Sequence, residues 1–397
     1  MATVTTEKTS KERSRVRRRV RVLATHPIQY QAPLFRVLAA DEEFEFEVLF
    51  LDDHSLHAYH DRGFGQAVEW NVPLLDGYEH DFVVRGRRAE ARDLKALARK
   101  LKARPTDVLW VHGWGHPLLA FALLSGRLFA ERVLVRAETR LDAGPNGRHP
   151  FLRASWHSKL LAGVDGALAI GSDNRDFLVA RGIPPERIFR MPYAVDAARF
   201  GGASDEREQT RRRLAHDPAN LVVLFVGKFA PHKAPLELAR AARLARERGA
   251  PLEVWFVGAG AQADELNRVA EEDPGLRVLG FVNQRELPTI YAAADALCLP
   301  SHFEPWGLVA NEAAHAGLAL LLSDRAGATA DLVLPGETGE AFPAGDVDEL
   351  TRTLCDWAND PERVRRMAER ARALASSFDF ESDRAGLHQA LGALFDE

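Results

Sequence analysis

Two cysteines in 397 residues, Cys298 and Cys355, stand far apart and without metal-ligand spacing. They imply neither a disulfide framework nor a zinc site, and a reducing cytoplasm fits such usage. No apolar run approaches the roughly 20 residues that cross a bilayer. Neither half follows its first strand with a full Gly-x-Gly-x-x-Gly, which disfavours a dinucleotide-dependent dehydrogenase. A net charge of −5 argues against general nucleic-acid binding. Positive charge does concentrate between Lys11 and Arg21, where Arg13, Arg15, Arg17, Arg18 and Arg19 also fall. No apolar signal-peptide core follows, because 20–24 is only strand-length. Residues 1–19 read as a solvated, disordered tail, with contact to an anionic membrane or polyanion as the alternative.

Strand-length apolar runs alternate with helical periodicity along nearly the whole chain. The runs fall at 20–24, 46–51, 108–111, 132–136 and 166–170, then at 221–226, 252–257, 276–279, 296–299 and 319–322. Helical patterns separate them, at 33–40, 89–103, 117–130, 151–161 and 173–181, then at 235–248, 263–271, 285–293, 307–316, 347–357 and 362–375. Hydrophobic strands alternating with helices predict α/β architecture, with parallel sheets covered on both faces. A chain of this length exceeds one ordinary core, so two Rossmann-like domains are expected, at 20–195 and 220–375. The polar stretch 196–219 reads as the linker between them. Ligands of doubly wound sheets bind beyond the carboxyl ends of the strands. Two such domains face to face would share one cleft.

The most informative stretch is 301–317, Ser-His-Phe-Glu-Pro-Trp-Gly-Leu-Val-Ala-Asn-Glu-Ala-Ala-His-Ala-Gly. Glu304 precedes a helix start, Pro305 and Gly307 mark that start, and Glu312 lies two turns further on. The free N–H groups of the first turn (Trp306, Gly307, Leu308, Val309) form an anion site. Carboxylates only accept hydrogen bonds. Two of them around an anion site suit a ligand with hydroxyl donors on both sides of a phosphate, as in a nucleotide sugar. An amphipathic helix carrying two solvated glutamates would account for the same residues.

Other loops fall where the fold would use them. Val226-Gly227-Lys228-Phe229-Ala230-Pro231-His232-Lys233 leaves a buried strand for a helix, so Lys228 and Lys233 offer mobile cations to a diphosphate. Val257-Gly258-Ala259-Gly260 is a tight turn that also permits close approach of a ribose or base. Gly280-Phe281-Val282 follows a third strand, where backbone groups can read a base edge. In the first half, the strand before His112-Gly113-Trp114-Gly115-His116 would deliver His112 to the cleft, either as a donor to a sugar hydroxyl or phosphate or as a satisfied loop histidine. Thr25-His26-Pro27-Ile28-Gln29-Tyr30 is a polar, aromatic loop suited to an acceptor. Arg136-Ala137-Glu138-Thr139-Arg140 also closes a strand, with charges that can pair among themselves. The basic helix at 89–103 reads as a covering helix, or as one resting on a membrane surface or polyanionic acceptor.

Together these residues resemble the family 4 retaining glycosyltransferases of the GT-B fold. The likeness is strongest from Leu279 to Asp346, through Gly280-Phe281-Val282, Tyr291-Ala292-Ala293-Ala294-Asp295, the 301–317 stretch and Gly336-Glu337-Thr338-Gly339. Pro192-Tyr193-Ala194-Val195-Asp196 resembles the family's usual Pro-Asn-Gly-Val-Asp at the domain junction. The resemblance implies that Glu304 holds donor-sugar hydroxyls and Glu312 the ribose. It implies phosphate on the Gly307, Leu308 and Val309 N–H groups, with Gly258 and Val282 beside the nucleotide. Lys228 and Lys233 would neutralise the leaving diphosphate, and His112 would touch the sugar near the reacting carbon. Residues 376–397 would return to the first domain as a last helix. Departures are lysine at 228, where arginine is commoner, Ala234 for the usual glycine, and His-Pro-Ile-Gln-Tyr in place of a Gly-Gly loop.

The expectation is a cytoplasmic GT-B transferase that moves a hexose-type sugar with retention, by same-face attack assisted by the leaving phosphate. The acceptor would be a glycan, a lipid-linked sugar or a small molecule. No cofactor or divalent metal is called for, because lysines and a helix N-terminus meet the leaving charge. No nucleic-acid partner is expected; peripheral membrane contact would run through the basic first-domain surface. A nucleotide-sugar epimerase and a non-catalytic sugar-nucleotide-binding subunit are the alternatives.

Overall fold

The computed structural model describes residues 17–61, 63–141, 150–201, 206–214 and 216–395. The first half contributes strands β1 (Arg18–Ala24), β2 (Phe44–Phe50), β3 (Tyr59–Asp61), β4 (Gln66–Val68), β5 (Glu79–Phe82), β6 (Val108–His112), β7 (Arg132–Arg136), β8 (Gly166–Ala169) and β9 (Ile188–Arg190). The second contributes β10 (Leu221–Val226), β11 (Leu252–Val257), β12 (Leu276–Gly280), β13 (Ala296–Leu299), β14 (Ala319–Ser323) and β15 (Gly339–Phe342). They form a seven-stranded sheet ordered β5-β2-β1-β6-β7-β8-β9 and a six-stranded sheet ordered β12-β11-β10-β13-β14-β15. All pairings within the two sheets are parallel.

The central strands are buried on both faces, which is why β10 and β13 carry unbroken apolar runs rather than alternation. Every residue of β10 and β11 is buried. Val223 and Phe225 point into one core with Leu238 and Trp357, while Val222 and Leu224 join another with Tyr291 and Leu320. The first sheet divides the same way, with Val22 and Trp110 on one side and Leu23 and Val111 on the other.

Several local expectations change. Strands β3, β4, β5, β9 and β15 have three or four residues each, many of them polar or exposed, too short and mixed to stand out as periodicity. β3 and β4 form a separate antiparallel ribbon. The helix expected from residue 89 begins at Leu94, and that expected at 307 begins at Leu308.

The basic run does not remain a tail to residue 19, because β1 opens at Arg18. Arg19 pairs with Asp107 at 3.3 Å, Arg21 with Glu47 at 2.9 Å, and Arg18 stacks on Phe395 at 4.1 Å. The charges from Lys11 to Arg15 lie outside the described residues.

The stretch expected to be a linker carries two short helices, Ala197–Gly201 and Arg207–Arg213. Arg207 and Arg211 hold Asp295 at 2.5 and 2.8 Å, which docks this segment on the second sheet. Helix Phe380–Phe395 packs on helix Ala32–Ala39 and on β9. Leu387, Leu391 and Leu394 enter the first domain's core. Among the described residues no helix is long and apolar enough to cross a membrane.

Candidate functional site

In each sheet the strand order reverses direction between two neighbours, β1 and β6 in the first, β10 and β13 in the second. The crevice beyond such a reversal is open, because the following connections leave toward opposite faces. The loops after β1, β10 and β13 meet there, across a cleft of about 500 Å³ between the domains. Its lining includes Lys228, Lys233, Gly258, Val282, Glu304, Gly307, Leu308, Val309 and Glu312.

The second-domain wall is built on backbone fit. Gly258 has φ 148°, and a Cβ there would sit 1.8 Å from the carbonyl oxygen of Gly227, so the two βα turns meet backbone to backbone. Gly307 caps helix Leu308–Ala316 with φ 100°, the left-handed region that glycine tolerates. Trp306 stands before the helix and buries its indole, donating to Asn311 Oδ1 at 2.7 Å. The N–H groups left without helical partners at this helix start therefore run from Gly307 onward. Glu304 is pinned by a parallel bridge to Ala326, and its carboxylate pairs with Lys233.

Glu312 lies on the same helix, half-buried, and accepts from the Tyr291 hydroxyl at 2.7 Å. Its carboxyl is pushed up to about 7, chiefly by burial, against the opposing pull of Tyr291 and Arg199. Lys228 reaches the other domain, where Asp61 Oδ1 lies 2.9 Å from its Nζ. The aromatic face of Phe64 lies beneath it, 4.8 Å away.

His112 does not stand on the cleft. Its half-buried ring sits against Gln31, whose Nε2 lies 2.7 Å from His112 Nε2. Burial and the nearby Arg136 push it down to about 3, so it is neutral. The first-domain histidine that lines the cleft is His26, from the loop after β1. Its ring lies 4.3 Å from the His54 ring, tilted by 50°, and burial with the charge of His54 pushes it down to about 4.

Four further cleft residues carry no role from sequence. Asp61 belongs to the β3–β4 ribbon and was invisible without its tertiary partner. Tyr59 and Trp70 line the cleft from the same region. Glu138 does follow a strand's carboxyl end, the signal used for the other loops, but pairing with the neighbouring arginines would account for its charge equally well. Instead Arg136 pairs with Asp383 at 3.2 Å and Arg140 with Asp173 at 3.0 Å. Glu138 faces the cleft and accepts from the Tyr193 hydroxyl.

Two family descriptions match the chain: Glycosyl transferases group 1 over residues 206–374, and Glycosyl transferase 4-like domain over residues 19–194. A glycogen synthase of Mycobacterium tuberculosis is 31% identical over 304 residues, spanning 73% of this chain and 69% of that protein. A D-inositol 3-phosphate glycosyltransferase of Nocardia farcinica is 31% identical over 256 residues, spanning 62% of this chain and 56% of the relative. In structure, HepE of Anabaena in complex with UDP superposes with a TM-score of 0.73 at 16% identity, covering 94% of this chain and 100% of that one.

Proposed function

This chain belongs to the group 1 glycosyl transferases, with the GT-B arrangement of two Rossmann-like domains, and from that premise we propose that it transfers a hexose from a nucleoside diphosphate donor with retention at the anomeric carbon. The observation that carries this is the gathering of two lysines, two carboxylates and a helix N-terminus in one interdomain cleft. Glu312 receives the ribose hydroxyls. The Gly307–Val309 N–H groups, Lys228 and Lys233 receive the diphosphate, and Glu304 holds sugar hydroxyls. As the carbon–oxygen bond breaks, negative charge grows on the diphosphate beside these donors, which lowers the barrier electrostatically. Because the lysines supply that charge, turnover needs no divalent metal. The acceptor enters from the first-domain wall, along the loop carrying His26 and Tyr30. UDP-glucose is the first donor to test, since HepE is described with UDP and with UDP-glucose.

The test incubates the protein with UDP-glucose, with and without sugar, inositol phosphate and glycolipid acceptors, and follows nucleotide release and anomeric configuration by NMR. Acceptor-dependent release, an α-linked product and insensitivity to EDTA are expected. Conversion of donor alone to an epimer, or binding of UDP without release from any nucleoside diphosphate hexose, would refute it.

A further inference from the structure

We propose that the acceptor is an uncharged sugar or glycan, seated on an aromatic shelf that Tyr59 and Trp70 form on the first-domain wall beside the His26 loop. The proposal rests on the transferase reading above and names the substrate class for the acceptor half of the cleft.

The shelf belongs to the β3–β4 ribbon, a two-stranded sheet of its own outside both parallel sheets. Tyr59 opens β3, and Trp70 lies two residues beyond β4. Both rings line the cleft and are half-buried, so part of each stays open to a ligand. Their positions are fixed from behind. Trp70 hydrogen-bonds the Tyr59 hydroxyl. Tyr59 also packs edge-on against His54, with ring centroids 5.4 Å apart, and Asp52 holds the His54 ring. From the second domain, the Asn283 side chain donates to the Glu69 carbonyl at 2.8 Å, and Asn71 donates to the Glu286 carboxylate at 3.3 Å. Aromatic rings held open to a polar cleft are apolar area that a ligand can cover. The C–H face of a pyranose suits them, since those hydrogens carry slight positive charge and the ring face is negative. The sugar's hydroxyls then keep their hydrogen bonds at the rim.

Charge decides between a neutral and a phosphorylated acceptor. Lys228 and Lys233 line the cleft from the second domain, and the donor's diphosphate takes both. Arg199, the other lining cation, is bonded to the Gln284 carbonyl and acts on Glu312 at the ribose end. Among the described residues no lysine or arginine of the first domain lines the cleft. Arg88, whose charge acts on His26 and Tyr59, is exposed and stands outside that lining. The charged groups that the first domain does place there are Asp61 and Glu138. Carboxylates accept from sugar hydroxyls and oppose a phosphate. This wall therefore favours a neutral sugar over its phosphorylated counterpart partly by repulsion, as specific sites do.

The experiment measures binding apart from turnover, on the full chain. Calorimetry with UDP present compares maltotriose, mannotriose and chitotriose with inositol phosphate, for wild type, Trp70→Ala, Trp70→Phe and Tyr59→Ala. Turnover with UDP-glucose then gives KM for acceptor and for donor. At least one neutral trisaccharide should bind wild type more tightly than inositol phosphate does. Trp70→Ala should weaken that binding about tenfold or more and raise the acceptor KM in step, with UDP affinity kept within about threefold. Tyr59→Ala should act in the same direction, and Trp70→Phe, which keeps a ring, should recover most of the loss. Preference for inositol phosphate overturns the proposal, as does a wild-type chain that binds none of the trisaccharides. So does unchanged trisaccharide affinity in Trp70→Ala, or an equal fall in its UDP affinity, which would mark a structural role. A wild-type chain that binds a trisaccharide through Trp70 yet releases no UDP from UDP-glucose supports the shelf and fails the transferase reading for this donor instead.

Discussion

Glu312 supplies the sharpest quantitative test. In the ligand-free cleft its carboxyl is pushed up to about 7, because burial penalises the charged form and the Tyr291 hydroxyl and Arg199 offset this only in part. Ribose hydroxyls are donors, so they bind the ionised carboxylate and pull its pKa down. Binding therefore gains as pH rises through 7 and weakens below it. One pH unit below the free pKa, about ten molecules in eleven are protonated, and ionising them costs about 1.4 kcal/mol. Affinity for a nucleotide sugar should thus be about tenfold weaker at about pH 6 than at about pH 8. A nucleotide sugar is the right ligand, since its diphosphate has no second ionisation in this range, whereas free phosphate monoesters titrate near about 6. Calorimetry in two buffers of different ionisation enthalpy should detect release of nearly one proton on binding at the lower pH. Glu312→Gln should flatten the pH dependence and abolish the proton release. Glu312→Ala should weaken binding at about pH 8 by about 1.5–3 kcal/mol, the usual worth of hydrogen bonds to a charged group. A pH-independent affinity with no proton released in the wild-type chain would refute both the titration and the ribose assignment.

Three more outcomes follow from other contacts. Asp61 competes with a diphosphate for Lys228, so Asp61→Asn should tighten UDP binding about two- to fivefold at low salt, a small effect because the pair is partly exposed; weaker binding in isothermal titration would argue against the competition. Ala234 is the one described non-glycine residue with positive φ, 53°, at the start of helix Pro235–Glu247, and Ala234→Gly should raise stability by about 0.5–1 kcal/mol once glycine's own entropy is counted; a lower melting temperature would contradict the strain. Asp383→Ala leaves Arg136 buried and unpaired at the joint between the last helix and the first domain, and should cost about 3 kcal/mol in denaturant unfolding, whereas a loss under about 1 kcal/mol would mean the pair is not needed there.

Much of the second domain was legible because its signals are local. Strands β10 and β13 are apolar end to end and β11 and β14 nearly so, and the loops after β10, β11 and β13 write their chemistry in consecutive letters, as at Lys228, Gly258 and Glu304. Depth was not legible. His112 ends β6 and His26 follows β1, yet His26 lines the cleft while His112 is held against Gln31. Glu138 shows the same limit: its neighbours in sequence are arginines, but their partners are Asp383 and Asp173, so its charge is left to the cleft. The basic start of β1 looked solvated because Asp107, Glu47 and Phe395, its partners, lie far along the chain.

By itself the sequence determined the alternation of strands and helices, hence two parallel sheets, and the residue types waiting at their carboxyl ends. These follow from short-range periodicity and from backbone needs at glycine and proline. Only the tertiary structure decided which of those ends share one cleft, which carboxylates face each other across it, and which lysine is held by which acid. Those outcomes depend on distances between residues remote in sequence and on how much water each charge keeps, and no window along the chain contains either.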